Sequence, residues 1–258
     1  MRAPGPTALA GRYRNPSVRP QWYRKRQAGM TPRQRRAEAS LWPVLGLAWA
    51  HGAPIALDTA FGRAEAAAPP PTRVLEIGCG GGEALVALAA ARPDAQFVGV
   101  DWYRAGLAAA LIRLDDAGAR NARLVRGDAA TVLATGLPAS LLFDEALIYF
   151  PDPWHSSLER RIVRADVLAQ LSTRMRPGGW IRIATDVDGY ADDARRVVRA
   201  HGGWAERPCA ELEAMRPGHC RPSTRYEREA IAAGRDVCDV CFELVDVGDR
   251  GDDAARCR

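Results

Sequence analysis

Lysine is almost absent from this 258-residue chain. Lys25 is the only one, so arginine carries nearly all of the basic charge and its abundance alone says little about partners. Acidic residues are absent from Met1 to Ala37, a stretch that holds ten basic residues between Arg2 and Arg36. Such a block is either a solvated tail or an arm for nucleic acid. An apolar signal core is lacking as well: Pro4, Pro6 and polar residues break up Met1 to Ala10, which argues against a secretory leader. No apolar run is long enough for a bilayer; the longest, Leu41 to Ala50, is interrupted by Pro43. A cytoplasmic protein with no membrane contact is expected. Internal repeats are absent, which excludes solenoids and propellers.

Cysteine is present but forms no compact framework of the secreted kind. The six cysteines are scattered, so reduced thiols are expected. Cys238 and Cys241 make a CxxC, and Cys209, His219 and Cys220 would complete a zinc set on paper. A second knuckle of matching spacing is missing. The strand-like alternation of Val237 to Val245 also sends residues three apart to opposite faces. No metal is expected.

Against these absences, the stretch Arg73 to Asp101 stands out. Apolar residues make up 47% of the chain and charged residues 26%, ordinary for a protein that buries a full core. Val74, Leu75 and Ile77 read as a buried parallel strand. Gly78, Gly80 and Gly82 follow, then the helix formers Ala84 to Ala91, then a second buried run, Phe97 to Val100, that ends on Asp101. Strand, glycine loop, helix, strand and acid together hold a nucleoside-containing cofactor, the acid suiting a ribose hydroxyl pair. Glycines let the backbone turn sharply and let a ligand lie against it. A dinucleotide enzyme and a bland structural loop are the rivals. Glu76, directly before the loop, favours S-adenosylmethionine (SAM), because a carboxylate there repels a pyrophosphate and welcomes the ammonium or sulfonium end of SAM.

The rest of the chain is arranged around that unit. Residues 1–21, rich in Pro, Gly and Arg, and residues 248–258 read as disordered tails. Residues 22–68 form a basic, aromatic arm and linker, with Thr31 capping a helix that opens on Pro32 and runs toward Trp42. Trp22, Tyr23, Trp42 and Trp49 either stack on bases or pin the arm to the main domain. From 69 to 247, strands at 73–77, 96–101, 122–126, 143–149 and 179–185 alternate with helices near 82–91, 104–117, 158–174 and 189–201. This predicts a Rossmann-like α/β fold, a mostly parallel sheet flanked by helices, completed to seven strands by 204–207 and 237–245. Each of the five parallel strands carries or precedes an acid: Glu76, Asp101, Asp128, Asp152 and Asp186. In an open parallel sheet the ligand crevice lies beyond the carboxyl ends of the strands, so these five carboxylates should converge there.

After the fourth strand comes Tyr149-Phe150-Pro151-Asp152-Pro153-Trp154-His155. The two prolines stiffen a turn that aims Asp152 into the crevice, and Trp154 offers a flat face for a planar acceptor. This resembles the acid-Pro-Pro-aromatic loop of enzymes that methylate ring nitrogens. EIGCGGG (Glu76–Gly82), FPDPWH (Phe150–His155), ERRIV (Glu159–Val163), ATD (Ala184–Asp186) and RPSTRYERE (Arg221–Glu229) follow one another as in bacterial tRNA (guanine-N7)-methyltransferases, class I SAM-dependent enzymes. Arg24–Gln27 and Trp42–Pro43 are similar to that family's N-terminal segment. The resemblance implies SAM as cofactor and tRNA as substrate, methylated on a guanine of the variable loop. It implies cofactor contacts from Glu76, Gly78, Gly80, Asp101 (ribose), Asp128 (adenine amino group) and Asp152, with Asp152 the principal orienting and catalytic carboxylate. Substrate contacts fall to Asp186, Thr224, Arg225, Tyr226 and Glu227. One departure stands out: Ser156 and Ser157 occupy the place of the family's lysine and longer basic loop, leaving Arg160, Arg161 or Arg164 to substitute. A diverged enzyme acting on another RNA or small-molecule nitrogen, and a non-catalytic RNA-binding relative, are the alternatives. Oligomeric state has no signature in the sequence.

Overall fold

The computed structural model describes residues 29–47, 49, 54–62, 71–138, 140–215 and 218–245. Both expected tails and the segment from Trp22 to Gln27 lie outside the described residues.

The first helix, α1 (Pro32–Leu45), begins as its sequence requires. Thr31 Oγ1 accepts from the Gln34 amide at 3.2 Å while Gln34 Oε1 accepts from the Thr31 amide at 2.8 Å, a reciprocal capping box with Pro32 in the first turn. The chain then adds a two-residue strand, β1 (Gly46–Leu47), and a helical turn, α2 (Leu57–Ala60). The remaining strands are β2 (Arg73–Ile77), β3 (Gln96–Asp101), β4 (Ala122–Arg126), β5 (Phe143–Tyr149), β6 (Met175–Thr185), β7 (Trp204–Arg207) and β8 (Cys238–Leu244). Helices α3 (Glu83–Ala91), α4 (Arg104–Asp116), α5 (Ala129–Thr131), α6 (Ala165–Ser172), α7 (Tyr190–His201), α8 (Cys209–Met215) and α9 (Arg225–Ala232) lie between them.

The sheet runs β1-β4-β3-β2-β5-β6-β8-β7, parallel from β1 to β6, with β8 antiparallel to both of its neighbours. It has eight strands where seven were expected; the addition is β1, too short to carry a periodic signal. Alternate residues of each strand feed opposite cores. Val74 and Leu147 pack with Leu85, Leu107 and Leu111 from α3 and α4, whereas Leu75 and Ile148 pack with Leu168, Ala194 and Val198 from α6 and α7. The strand order reverses between β2 and β5, which places a topological switch point beyond their carboxyl ends.

Two local expectations change, and one left open is decided. The span 158–174 is not one helix but a short 3₁₀ turn (Leu158–Arg160) followed by α6. Buried Arg161 lies between the two, donating through Nε to the Pro153 carbonyl at 2.7 Å and pairing with Asp193, which holds the chain off a helical path. The reduced state expected for all cysteines is overturned for two of them: Cys209 and Cys241 are joined by a disulfide. Cys241 points to the face of β8 that α8 covers, beside Trp180 and Leu212, and the Cα atoms stand 5.3 Å apart, within bridging range. Cys238 packs on the opposite face, as the alternation demands. Trp42 and Trp49, finally, pin the arm to the domain: Trp42 packs on the α3–α4 core and Trp49 is buried against Gly127 and Gly136. Among the described residues no helix is long and apolar enough to cross a membrane.

Candidate active site

The five carboxylates all stand at the carboxyl end of the parallel strands. Strand order sets them in a row, Asp128 after β4, Asp101 on β3, Glu76 on β2, Asp152 after β5 and Asp186 after β6. The centre of the row is the tightest. Gly78 and Gly80 both adopt positive φ, 79° and 53°, and a Cβ at either would meet nothing within 4 Å, so the loop borders open space. Asp101 is tied to this loop: its Oδ2 accepts from the Gly80 amide at 2.7 Å and its Oδ1 from the Tyr103 amide at 2.6 Å.

Glu76 is buried, and its Oε2 has no hydrogen-bond partner. Burial, and then the charge of Asp101, pushes its carboxyl up to about 8. Asp101 also titrates above the ordinary range, burial outweighing its backbone hydrogen bonds, with a contribution from the charge of Asp152. A buried acid with an unsatisfied oxygen and a half-buried one, beside an open glycine loop, make a place for a cationic ligand. The methionine end of SAM has that charge, and these residues fit it.

The flanking acids are more engaged. Asp128 caps α5, its Oδ2 accepting from the Thr131 amide at 3.0 Å and hydroxyl at 2.7 Å. Asp186 pairs with Arg235 at 2.9 Å. Asp152 is exposed at the tip of a turn whose two ends are both strained: Phe150 and Trp154 have φ of 50° and 42°. Aromatic residues in left-handed backbone are uncommon, and such strain collects at functional turns. The Phe150 amide donates to the Ala184 carbonyl at 2.7 Å and Arg161 holds the Pro153 carbonyl, so the turn is fastened on both sides of Asp152. Of the three arginines considered as substitutes for the missing lysine, Arg161 is buried in this scaffold and Arg164 pairs with Asp166 at 2.8 Å. Arg160 lies 5.4 Å over the Trp154 ring, at the mouth of the turn.

The 221–229 element reaches the same turn from the other side. Thr224 caps α9, accepting from the Glu227 amide at 3.4 Å, and the Glu227 carboxylate pairs with Arg221. Tyr226 is 49% exposed and stacks on Phe150 with ring centroids 6.1 Å apart. Arg225 sets its guanidinium 5.0 Å over Tyr226 and 3.3 Å from Glu229, largely in solvent. Arg221, which sequence reasoning passed over, is the hub: it pairs with Glu227 and with Asp239 at 2.9 Å and lies 5.7 Å over Phe150. Its place in the RPSTRYERE run was the available signal.

Residues 71–240 match a protein-family model described as "Putative methyltransferase". The tRNA (guanine-N(7)-)-methyltransferase of Nitrosococcus oceani is 35% identical over 85% of this chain and 88% of its own. Those of Alcanivorax borkumensis and Halorhodospira halophila are each 36% identical, over 84% and 85% of this chain and 88% and 93% of theirs. The chain belongs to this family. In the methyltransferase, then, the glycine loop with Glu76 and Asp101 and the turn around Asp152 meet at one switch point, with α9 leaning on the turn through Tyr226.

Proposed function

We propose that this methyltransferase transfers the methyl group of SAM to N7 of a guanine in tRNA, in the variable loop. The observation that carries the reading is the contact between two motifs far apart in sequence: Tyr226 stacks on Phe150, two residues from Asp152, whose charge is felt at Asp101. The names of the relatives support tRNA guanine N7 as the acceptor.

SAM, when bound, supplies a methyl group already activated by its sulfonium. Glu76 and Asp101 bind the cationic and ribose parts, Gly78 and Gly80 give them backbone room, and Asp128 and Asp152 complete the cofactor side. Guanine N7 carries a free lone pair, so no base need remove a proton first, and the chain's task is alignment and exclusion of water. Asp152 accepts hydrogen bonds from the guanine N–H groups and offsets the positive charge that develops on the ring. Asp186 and Glu227 assist from their ion pairs, and Thr224 holds the helix that presents Arg225 and Tyr226 to the RNA. Arg160 over Trp154 supplies the cation that Ser156 and Ser157 do not.

The serines also motivate a second reading, an enzyme for another RNA or small-molecule nitrogen. Purified protein, tritiated SAM and total tRNA lacking N7-methylguanosine separate the two. We expect label as N7-methylguanosine in the variable loop, reduced on the order of 100-fold or more by Asp152→Ala at unchanged thermal midpoint. SAM uptake without labelled tRNA supports the second reading, and near-normal turnover of the variant removes Asp152 from its role.

A further inference from the structure

Glu83 opens α3, one residue after the glycine loop, yet its carboxylate reaches across to α9. Its Oε2 accepts from the backbone amide of Arg225 at 2.5 Å and lies 3.5 Å from Arg228 Nη2. Its Oε1 lies 3.4 Å from Arg113 Nη2, and the other arm of Arg113 donates to the Gly81 carbonyl at 2.5 Å. Glu83 thus joins two groups 142 residues apart, the first turn after the glycine loop and the first residue of the helix that carries Tyr226. A carboxylate at the start of a helix is favoured both by the free amides there and by the helix dipole.

We propose that Glu83 is a positioning residue that couples occupancy of the glycine loop to the pose of α9, so that cofactor and RNA bind cooperatively. This rests on the reading that the loop holds SAM and that α9 meets RNA. A ligand seated against the loop bears on the Gly81 carbonyl and on the first turn of α3. Arg113 and Glu83 pass that constraint to the amino end of α9, whose outer side chains, Arg225 and Tyr226, are exposed to solvent. The coupling is reciprocal by linkage: RNA binding tightens cofactor binding by the same factor.

Calorimetry on the full chain tests this with unmodified tRNA transcript and S-adenosylhomocysteine, the unreactive product. Wild-type tRNA affinity should rise about 5-fold or more when the loop is saturated. In Glu83→Ala that ratio should fall to about one while each separate affinity stays within about twofold, well below the coupling expected for a linked pair. Glu83→Gln keeps an acceptor for the Arg225 amide and should restore most of the ratio. An unchanged ratio in Glu83→Ala, a wild-type ratio of one, or loss of product binding alone overturns the proposal. Failure of the wild type to bind tRNA in either state overturns the RNA reading itself, and the coupling with it.

Discussion

Glu76 shows how a single residue is set by its surroundings. An ordinary carboxyl of this type titrates at 4.5, and here burial and the neighbouring charge of Asp101 carry it to about 8. The folded value exceeds the unfolded one, so the folded chain holds a proton that the unfolded chain has released across that interval. The stability contributed by the neutral acid is complete below about 4.5 and declines as pH rises toward 8. A cationic ligand reverses the preference, because it stabilises the carboxylate. SAM binding near pH 7 should therefore release a proton from Glu76. The calorimetric enthalpy should then vary with the ionisation enthalpy of the buffer, and Glu76→Gln should abolish that dependence. A buffer-independent wild-type enthalpy would mean that Glu76 is already ionised. Glu76 and Asp101 were legible because the strand–loop–strand pattern marks their positions. Arg221 and Glu83 were not, and Arg161 was legible only as a stand-in for the lysine, because the contacts Arg221–Asp239, Arg161–Asp193 and Glu83–Arg225 join residues 18, 32 and 142 apart and only folding brings them within reach.

At the scale of elements, the glycine loop depends on the helix behind it. Gly106, in the first turn of α4, lies so close that a Cβ there would meet the Gly80 carbonyl oxygen at 2.9 Å and its carbon at 3.1 Å. Both are backbone atoms and cannot swing aside. Gly106→Ala should push the loop that bears Gly78 and Gly80, weakening SAM binding about tenfold, since overpacking costs about 1–3 kcal/mol and a factor of ten is about 1.4 kcal/mol. The helix content should persist. An unchanged SAM affinity would show that the loop can shift without cost. The four strands 73–77, 96–101, 122–126 and 143–149 were legible to the residue because each carries an apolar core, such as Phe97 to Val100 or Ala146 to Tyr149, of the kind a buried parallel strand needs. The break between the 3₁₀ turn and α6 was hidden, because Glu159 to Arg164 has no breaker and the chain is turned there by the contacts of Arg161.

For the whole molecule, the basic block is divided between two roles. Arg33 pairs with Asp116 at 3.0 Å and Gln34 donates to the Ala105 carbonyl at 2.9 Å, so α1 is fastened to α4. Removal of Met1 to Gly29 spares these interactions yet takes away seven basic residues, from Arg2 to Arg26. We expect this truncation to weaken tRNA binding at low salt and to make its salt dependence shallower, by about 0.7–0.9 in log–log slope for each phosphate the arm had neutralised, while SAM affinity is unchanged. An unchanged slope would assign the segment to a plain tail.

By itself the sequence determined the alternation of strand and helix, the cofactor loop and the acids at the strand ends, because each is written in local pattern: apolar runs, glycine spacing, prolines around Asp152. Tertiary structure decided what those residues do with one another. It paired Asp186 with Arg235 and Arg221 with Asp239, joined Cys209 to Cys241, and left Glu76 buried with an unsatisfied oxygen. Those outcomes depend on which side chains meet across the sheet, and local pattern carries no record of contacts between residues far apart in the chain.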